Sequence, residues 1–418
     1  MTASVFKGLT KGSAAPAMLL RAGIVAVNFA VMLGLAALLG LADFGRLAVI
    51  WGLALVFSSI IAAGAPLLLL QALSDGGRLT GRALAQHVIV YPLVLVAIGL
   101  IALPALFATL PWVPIFVAAF GIHLVSCLAS IMRALGSVHV SMALRDAGPQ
   151  LALGMGAILA MGHSNVLEIT AVVLAVVAGL AAIWCWRQPA WPTIIHRSGR
   201  AARMPFGLWG TSVLGMALAQ VDIIIGGAFL TDGQTGLYAL LRRITNLVAL
   251  PVSVATWVTS VPVAAAHGKG DRARLAHASA NGSRIALIPG LVLCAVALAG
   301  LATTQLPGLR VWGAEGDLVF LILLAGALVQ VGFAATFTVA TLCGLAHFAA
   351  IARLGSIIAY LGLVGLIPVF SPVTNAAAYA MAMALGSVGL WVIVLRRLGI
   401  DTSFFALITA RTASWRPS

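Results

Sequence analysis

Three ionised side chains stand in stretches that otherwise belong in hydrocarbon: Asp222 in AQVDIIIGGAF, and the pair Arg242 and Arg243 in GLYALLRRITNL. A charge at the centre of a bilayer costs about 2.5–3.5 kcal/mol or more unless it is paired or faces water, so such residues point into a bundle. The chain turns near Asp232, ten residues after Asp222 and ten before Arg242. At about 1.5 Å per helical residue, the acid and the arginine pair therefore share one depth, about 15 Å from the turn. Two cations facing one acid leave a positive surplus. Three chemistries fit that surplus: a structural ion pair with Arg243 snorkelling, an anionic ligand held by the second arginine, or Asp222 as a proton or sodium coupling site.

Other polar residues stand within or at the edge of apolar runs. Asn28 lies 15 residues before Asp43 and Ser58 lies 15 after it, so the same hairpin geometry puts them at one level, as cavity-lining groups or as an interhelical hydrogen bond. Arg21 begins the first apolar run, where it serves as a topology anchor or a ligand contact. Gln330, Thr336 and Thr338 give a later run polar character; Gln330 is a candidate substrate contact, and the hydroxyls can bond back to their own helix. His123 reads as a packing residue. Asn165 and Glu168 have the three-residue spacing of a capping pair, and Glu315 with Asp317 reads as a helix start. The 4 cysteines lie in or at the edge of apolar runs and form no CxxC, as buried thiols do. The 8 histidines show no HExxH or paired ligand spacing, so neither a metal site nor a cofactor is expected.

The elements that position these residues follow from composition. The chain is 62% hydrophobic and 8% charged, with a mean hydropathy of +1.12, whereas a soluble domain carries roughly 25% charged residues. It is a membrane protein. A net charge of +14 and a pI near 11.1 would suggest nucleic acid in a soluble chain. Here the basic residues lie at the ends of apolar runs, so no nucleic-acid partner is expected. A bilayer core takes roughly 20 apolar residues per helix. On that basis twelve helices are predicted: Ala22–Leu41, Leu47–Leu70, Leu84–Leu103, Val113–Met132, Gly148–Gly162, Ile169–Trp186, Phe206–Leu230, Gly236–Val263, Ile285–Thr303, Leu318–Leu342, Leu354–Val369 and Ala376–Leu395. The first run is longer than a signal-peptide core and is read as a retained helix. Pro66, Pro92, Pro251, Pro262, Pro289 and Pro368 fall within the spans, where they kink helices.

With both termini in the cytoplasm, only Arg46 and Arg310 of the 24 Lys and Arg residues fall outside and Arg242 and Arg243 fall in the membrane. The rest, Arg353 among them, fall in cytoplasmic segments, the asymmetry that the positive-inside rule requires. Gly45-Arg46-Leu47-Ala48 opens the second helix as Gly236-Leu237-Tyr238-Ala239 opens the eighth, and Asp75-Gly76-Gly77-Arg78 has a counterpart in Gly268-Lys269-Gly270-Asp271-Arg272. These pairs indicate a duplicated six-helix unit in parallel orientation, an arrangement found in transporters. The predicted organisation is an N-terminal six-helix bundle over residues 1–190, a basic cytoplasmic linker over 191–204 within RQPAWPTIIHRSGRAAR, and a C-terminal six-helix bundle over 205–418.

Four stretches carry a family resemblance. LLGLADFGRLAVIWGLALVFSSIIAAGAPLLLLQALSDGG resembles the opening of Wzx-type polysaccharide flippases of the multidrug/oligosaccharidyl-lipid/polysaccharide exporter superfamily. VDIIIGGAFLTDGQTGLYALLRRITNL resembles that family's seventh-to-eighth helix hairpin, with VPVAAAHGKGDRARL as the loop after it and LRRLGI as the end of the twelfth helix. The resemblance implies two six-helix bundles around a cationic cavity that moves lipid-linked oligosaccharide by alternating access. Asp222, Arg242 and Arg243 match the family's pattern, and Arg21 matches its habit of an arginine in the first helix. Where the family usually has a basic residue directly after the seventh-helix Asp, this chain has Ile223. Lipid II flippases, expected to have fourteen helices, resemble it less.

The expected function is a flippase for polyprenyl-pyrophosphate-linked oligosaccharide in the bacterial inner membrane, feeding surface polysaccharide synthesis, and not an enzyme. Its candidate substrate contacts are Arg242, Arg243, Arg21, Asn28 and Gln330, and its candidate ion-coupling group is Asp222, for a proton or sodium ion. Expected partners are the lipid-linked substrate, membrane lipid and a polysaccharide polymerase. A cation-coupled drug or metabolite exporter of the same superfamily is one alternative. A membrane polymerase or glycosyltransferase is the other, although such enzymes need longer outer loops than the stretch from Thr304 to Asp317 supplies.

Overall fold

The computed structural model describes residues 14–74, 80–106, 110–160, 165–188, 206–304 and 313–406. All regular structure among them is helical, as a chain that must satisfy its backbone inside hydrocarbon requires. In chain order the helices are α1 Ala14–Ile61, α2 Ala65–Ser74, α3 Gly81–Ala85, a π-helical turn Gln86–Val90, α4 Tyr91–Leu106, α5 Trp112–Ala134, α6 Val138–Asp146, α7 Gly148–Leu159, α8 Val166–Trp186, α9 Phe206–Phe229, α10 Asp232–Asn246, α11 Leu250–Gly268, α12 Arg272–Thr304, α13 Ala314–Gly332, α14 Ala334–Leu342, α15 Ala346–Leu366 and α16 Pro372–Leu398.

Ten stretches among the described residues are long and apolar enough to cross a membrane. The first of them runs on through α1, whose 48 residues would span about 72 Å as one helix, against a hydrocarbon core of about 30 Å. Gly40, at φ 77 and ψ 163, leaves the helical region and divides α1 into the first two predicted spans. The fifth is the short α7. With these, all twelve predicted spans have a helix or a broken helix pair, and the protein is an all-α, multi-pass membrane protein.

The second span of each half is interrupted in the same way. Between α1 and α2 the chain breaks at residues 62–64, where Ala63 and Gly64 have φ of 47 and 76. Between α10 and α11 it breaks at residues 247–249. Pro66 follows the first break by two residues and Pro251 follows the second by two. A proline has no N–H for the carbonyl four residues back and clashes with it. That carbonyl accepts from the residue three along instead, Ala62 O from Ala65 N at 2.7 Å and Leu247 O from Leu250 N at 3.1 Å. Matching interrupted spans at corresponding positions of the two halves fit a duplicated unit.

By packing, the chain divides into two compact units, Met1–Gly40 with Arg46–Met216, and Leu41–Gly45 with Ala217–Ser418. The start of α9 thus goes with the first unit; the predicted linker at 191–204 lies outside the described residues, as does Asp75–Arg78. In the first unit α5 is the central helix, and Leu69, Cys127, Ile131, Ala181 and Cys185 form a buried cluster joining α2, α5 and α8. All four cysteines are buried and free. His123 is buried, its Nε2 3.1 Å from the Val88 carbonyl, the packing role expected of it. Asn165 stands at the N-cap of α8, but its side chain makes no capping bond, so the expected capping pair with Glu168 does not form.

The second unit is anchored by α10. Thr231 and Gln234 close a reciprocal capping box at its start, which fixes where the helix begins and so the register of everything on it. Glu315 and Asp317 lie in the first turn of α13, as expected. Thr336 and Thr338 do not bond back to their helix: Thr336 shares a hydrogen bond of 2.8 Å with Thr402, and Thr338 donates to Thr256 at 3.0 Å. The segment after α16 folds back to supply the first partner, where Phe404 N also donates to Gly332 O at 2.8 Å.

Residues 41–45 pack against the start of α10 through the two glycines of the repeated motif. A Cβ on Gly236 would overlap the Leu41 carbonyl oxygen, and one on Gly45 the Asp232 carbonyl oxygen. Small residues at such crossings allow backbones to touch. The obstructing atoms are backbone and cannot rotate away, so Gly236→Ala is expected to destabilise the protein by about 1–3 kcal/mol, as overpacking does. A thermal melt in detergent that matches the wild type would exclude this contact.

Candidate functional site

The polar centre of the second unit is assembled by three helices around α10. Tyr238, Arg242 and Asn246 recur every four residues on one face of α10, α9 brings Asp222, and α16 brings Asn375 and Tyr379 at four-residue spacing. Tyr360 comes from α15. Asp222, Asn375 and Tyr360 are wholly inaccessible, and Tyr238, Tyr379 and Arg242 are buried.

Asp222 and Arg242 do lie at one depth: Arg242 Nε donates to Asp222 Oδ2 at 3.0 Å. Tyr238 OH donates to the same oxygen at 2.8 Å. The other two nitrogens of Arg242 are also engaged, Nη1 with Asn246 Oδ1 and Nη2 with the Tyr379 hydroxyl, and the guanidinium lies 4.3 Å from the Tyr379 ring centre. Around this pair, Asn375 Nδ2 donates to the Asp222 backbone carbonyl at 3.1 Å and accepts from Tyr360 OH at 2.6 Å on its oxygen. Asp222 Oδ1 is buried without a hydrogen-bond partner. Arg242 is thus spent within the protein. Arg243, about 100° round the helix, is partly buried and has no hydrogen-bond or ion-pair partner among the described residues. The surplus cation expected from the sequence is Arg243.

Hydrogen bonds to charged groups contribute about 1.5–3 kcal/mol. Tyr238→Phe removes one of the two donors on Asp222 Oδ2 while keeping the ring, so a loss of that order is expected in a denaturant or thermal titration of the purified protein.

A cavity of about 250 Å³ lies within the same unit. Leu218, Ser356 and Met383 line it, each four residues from Asp222, Tyr360 and Tyr379, so the cavity adjoins the ion pair one helical turn along α9, α15 and α16. Gln330 lines this cavity with Thr256, Arg353 and Ser387. The guanidinium of Arg353 stacks 3.8 Å from the centre of the Phe337 ring. Arg353 corrects the sequence reading: α15 begins at Ala346, eight residues before the predicted start, so Arg353 is not a loop cation but lies about two turns inside the helix. The cluster also uses residues the sequence reading passed over. Of 4 tyrosines in the chain, three converge on the Asp222 pair, and their rarity at mid-span was the available signal.

The remaining predicted contacts belong to the first unit. Asn28 and Ser58 do not bond to each other. Asn28 Nδ2 donates to the Asp146 carbonyl at 2.8 Å, where α6 gives way to α7, and Ser58 Oγ donates back to Leu55 O at 2.7 Å. Arg21, partly buried, lies seven residues before Asn28 and hence on the same face of α1.

No family model and no curated protein sequence matches the chain. Solved structures do. The MATE multidrug transporter DinF-BH superposes with a TM-score of 0.63 at 17% identity over 94% of this chain and 95% of that one. The lipid II flippase MurJ, in an inward closed conformation, gives 0.63 at 13% identity over 96% and 93%. A Vibrio cholerae MATE transporter, VcmN in the bent form, gives 0.56 at 14% over 95% and 98%. MurJ and DinF-BH superpose at the same TM-score. The chain has the fold shared by MATE transporters and the MurJ flippase.

Proposed function

We propose that the protein is a flippase that carries polyprenyl-pyrophosphate-linked oligosaccharide across the bacterial inner membrane, for surface polysaccharide synthesis. The observation that supports this reading is the charge balance of the ion-pair centre. Asp222 is the one acid set deep within an apolar span among the described residues, and Arg242 already neutralises it. Arg243 is left without an acid. A pyrophosphate that leaves water needs cations in its place, and guanidinium groups present planar paired donors to its oxygens. A cationic drug needs the reverse, an uncompensated carboxylate.

Turnover on this reading is an exchange between two conformations with different affinity for the anion, both termini being cytoplasmic. Asp222 Oδ1, unpartnered, is the oxygen that would receive a coupling proton or sodium ion. The lipid tail stays in the bilayer, and a polysaccharide polymerase takes the product.

The test is a deletion strain scored for surface polysaccharide and for drug sensitivity, with the purified protein reconstituted in vesicles holding the lipid-linked oligosaccharide. Loss of polysaccharide with unchanged drug sensitivity is the expected result. Drug sensitivity with intact polysaccharide, and no lipid movement in vesicles, would assign the chain to drug export instead.

A further inference from the structure

The cavity of the second unit has a donor set of one character. Its polar side draws on five helices, Thr256 from α11, Gln330 from α13, Thr336 from α14, Arg353 and Ser356 from α15 and Ser387 from α16, and no Asp or Glu lines it. Thr336 is already bonded to Thr402 and Ser356 to the Ala352 carbonyl, which leaves Thr256, Gln330, Arg353 and Ser387, from four helices, as the donors considered. Gln330 and Ser387 have no side-chain hydrogen-bond partner among the described residues. Thr256 accepts from Thr338 at 3.0 Å, which leaves its own hydroxyl hydrogen to donate. Phe337 fixes the plane of the Arg353 guanidinium by stacking on it at 3.8 Å. Leu218, Val252, Phe333 and Met383 form its apolar wall.

Polar groups inside a membrane protein that are left without partners are expensive, and they face cavities where a ligand or water completes them. At about 30 Å³ of liquid volume per water, the cavity holds roughly eight waters, which is ample for an oxoanion and the start of an ester chain. A carboxylate offers two oxygens in one plane. A phosphate offers oxygens in several directions and so can meet donors converging from four helices, with the guanidinium fork on two of them. We infer that this cavity is a binding site for a phosphate group, held by Arg353 with the Gln330 amide and the Ser387 and Thr256 hydroxyls. The phosphate comes either free in solution or as the headgroup of a lipid whose chains follow the apolar wall. The site does not depend on the flippase reading, since neither Arg243 nor Asp222 lines it.

The experiment uses the full-length protein in detergent at fixed ionic strength, titrated in one arm with inorganic phosphate and in the other with phosphatidic acid, and read by thermal shift. Native mass spectrometry counts the bound lipid. A saturable rise in Tm in at least one arm is expected, with sodium chloride giving none, and the responding arm identifies the source. Arg353→Gln and Gln330→Leu should each weaken the apparent affinity at least tenfold. Ser387→Ala, a milder change, should weaken it as well and carries the test with Gln330→Leu if Arg353→Gln does not purify. Failure of both arms, or wild-type affinity in Gln330→Leu and Ser387→Ala, would overturn the assignment.

Discussion

Asp222→Ala is expected to cost about 3–5 kcal/mol and leave little folded protein, because removing one partner of a buried ion pair strands the other as an uncompensated charge. Here the stranded group is Arg242, only 5% exposed and held by Asn246 and Tyr379 in a position it cannot leave without breaking those bonds. Tyr238 loses its acceptor in the same substitution. A domain is typically stable by about 5–15 kcal/mol in total, so the loss is a large share of what there is. The check is the thermal melt and gel-filtration profile of the purified variant. Asp222→Leu combined with Arg242→Met should recover much of the stability, since replacing a buried pair by apolar groups of similar volume is often neutral. That double variant separates two roles. If the pair serves only the fold, the stable double variant still transports. If Asp222 couples an ion, transport fails in a protein that melts normally. A single Asp222→Ala variant with a wild-type melt would remove the pair from any account of the fold.

The reach of sequence reasoning here follows from what a helix fixes. Rise per residue is constant, so depth in a hairpin can be counted, and counting ten residues either side of Asp232 brought Asp222 to within 3.0 Å of Arg242. The same count put Asn28 level with Ser58, but they do not meet. Depth sets height and says nothing of azimuth, which is decided by the neighbours that pack against each helix. Asn28 finds an open carbonyl at the α6–α7 junction, and Ser58 is satisfied one turn back on its own helix. For the same reason the shell around Asp222 was illegible. Asn375 lies 153 residues away on α16, and no local pattern says that α16 flanks α9. Arg353 was missed for a simpler cause. Six of the eight residues from Ala346 to Arg353 are hydrophobic, but a span started after its last charge begins at Leu354, whereas the helix runs on through Arg353, which lines the cavity.

Arg243→Gln tests the functional half of the centre. The hydrogen bonds a guanidinium makes to an anion contribute about 1.5–3 kcal/mol. At 1.4 kcal/mol per decade, a pyrophosphate that relies on Arg243 should move about 10- to 150-fold more slowly, in vesicles at subsaturating substrate, when the charge is removed. Stability should be unchanged, because Arg243 has no partner within the described protein to lose. Arg242→Gln should behave the other way, losing stability first, because every nitrogen of Arg242 is bonded internally. The contrast between neighbouring arginines is what gives the test its force, since a general loss of positive charge would affect both alike. Arg243→Lys keeps the charge but not the paired donors, so partial transport is expected from it. If Arg243 only snorkels toward the interface, Arg243→Gln transports like the wild type, and the surplus charge of the hairpin belongs to membrane anchoring and not to substrate.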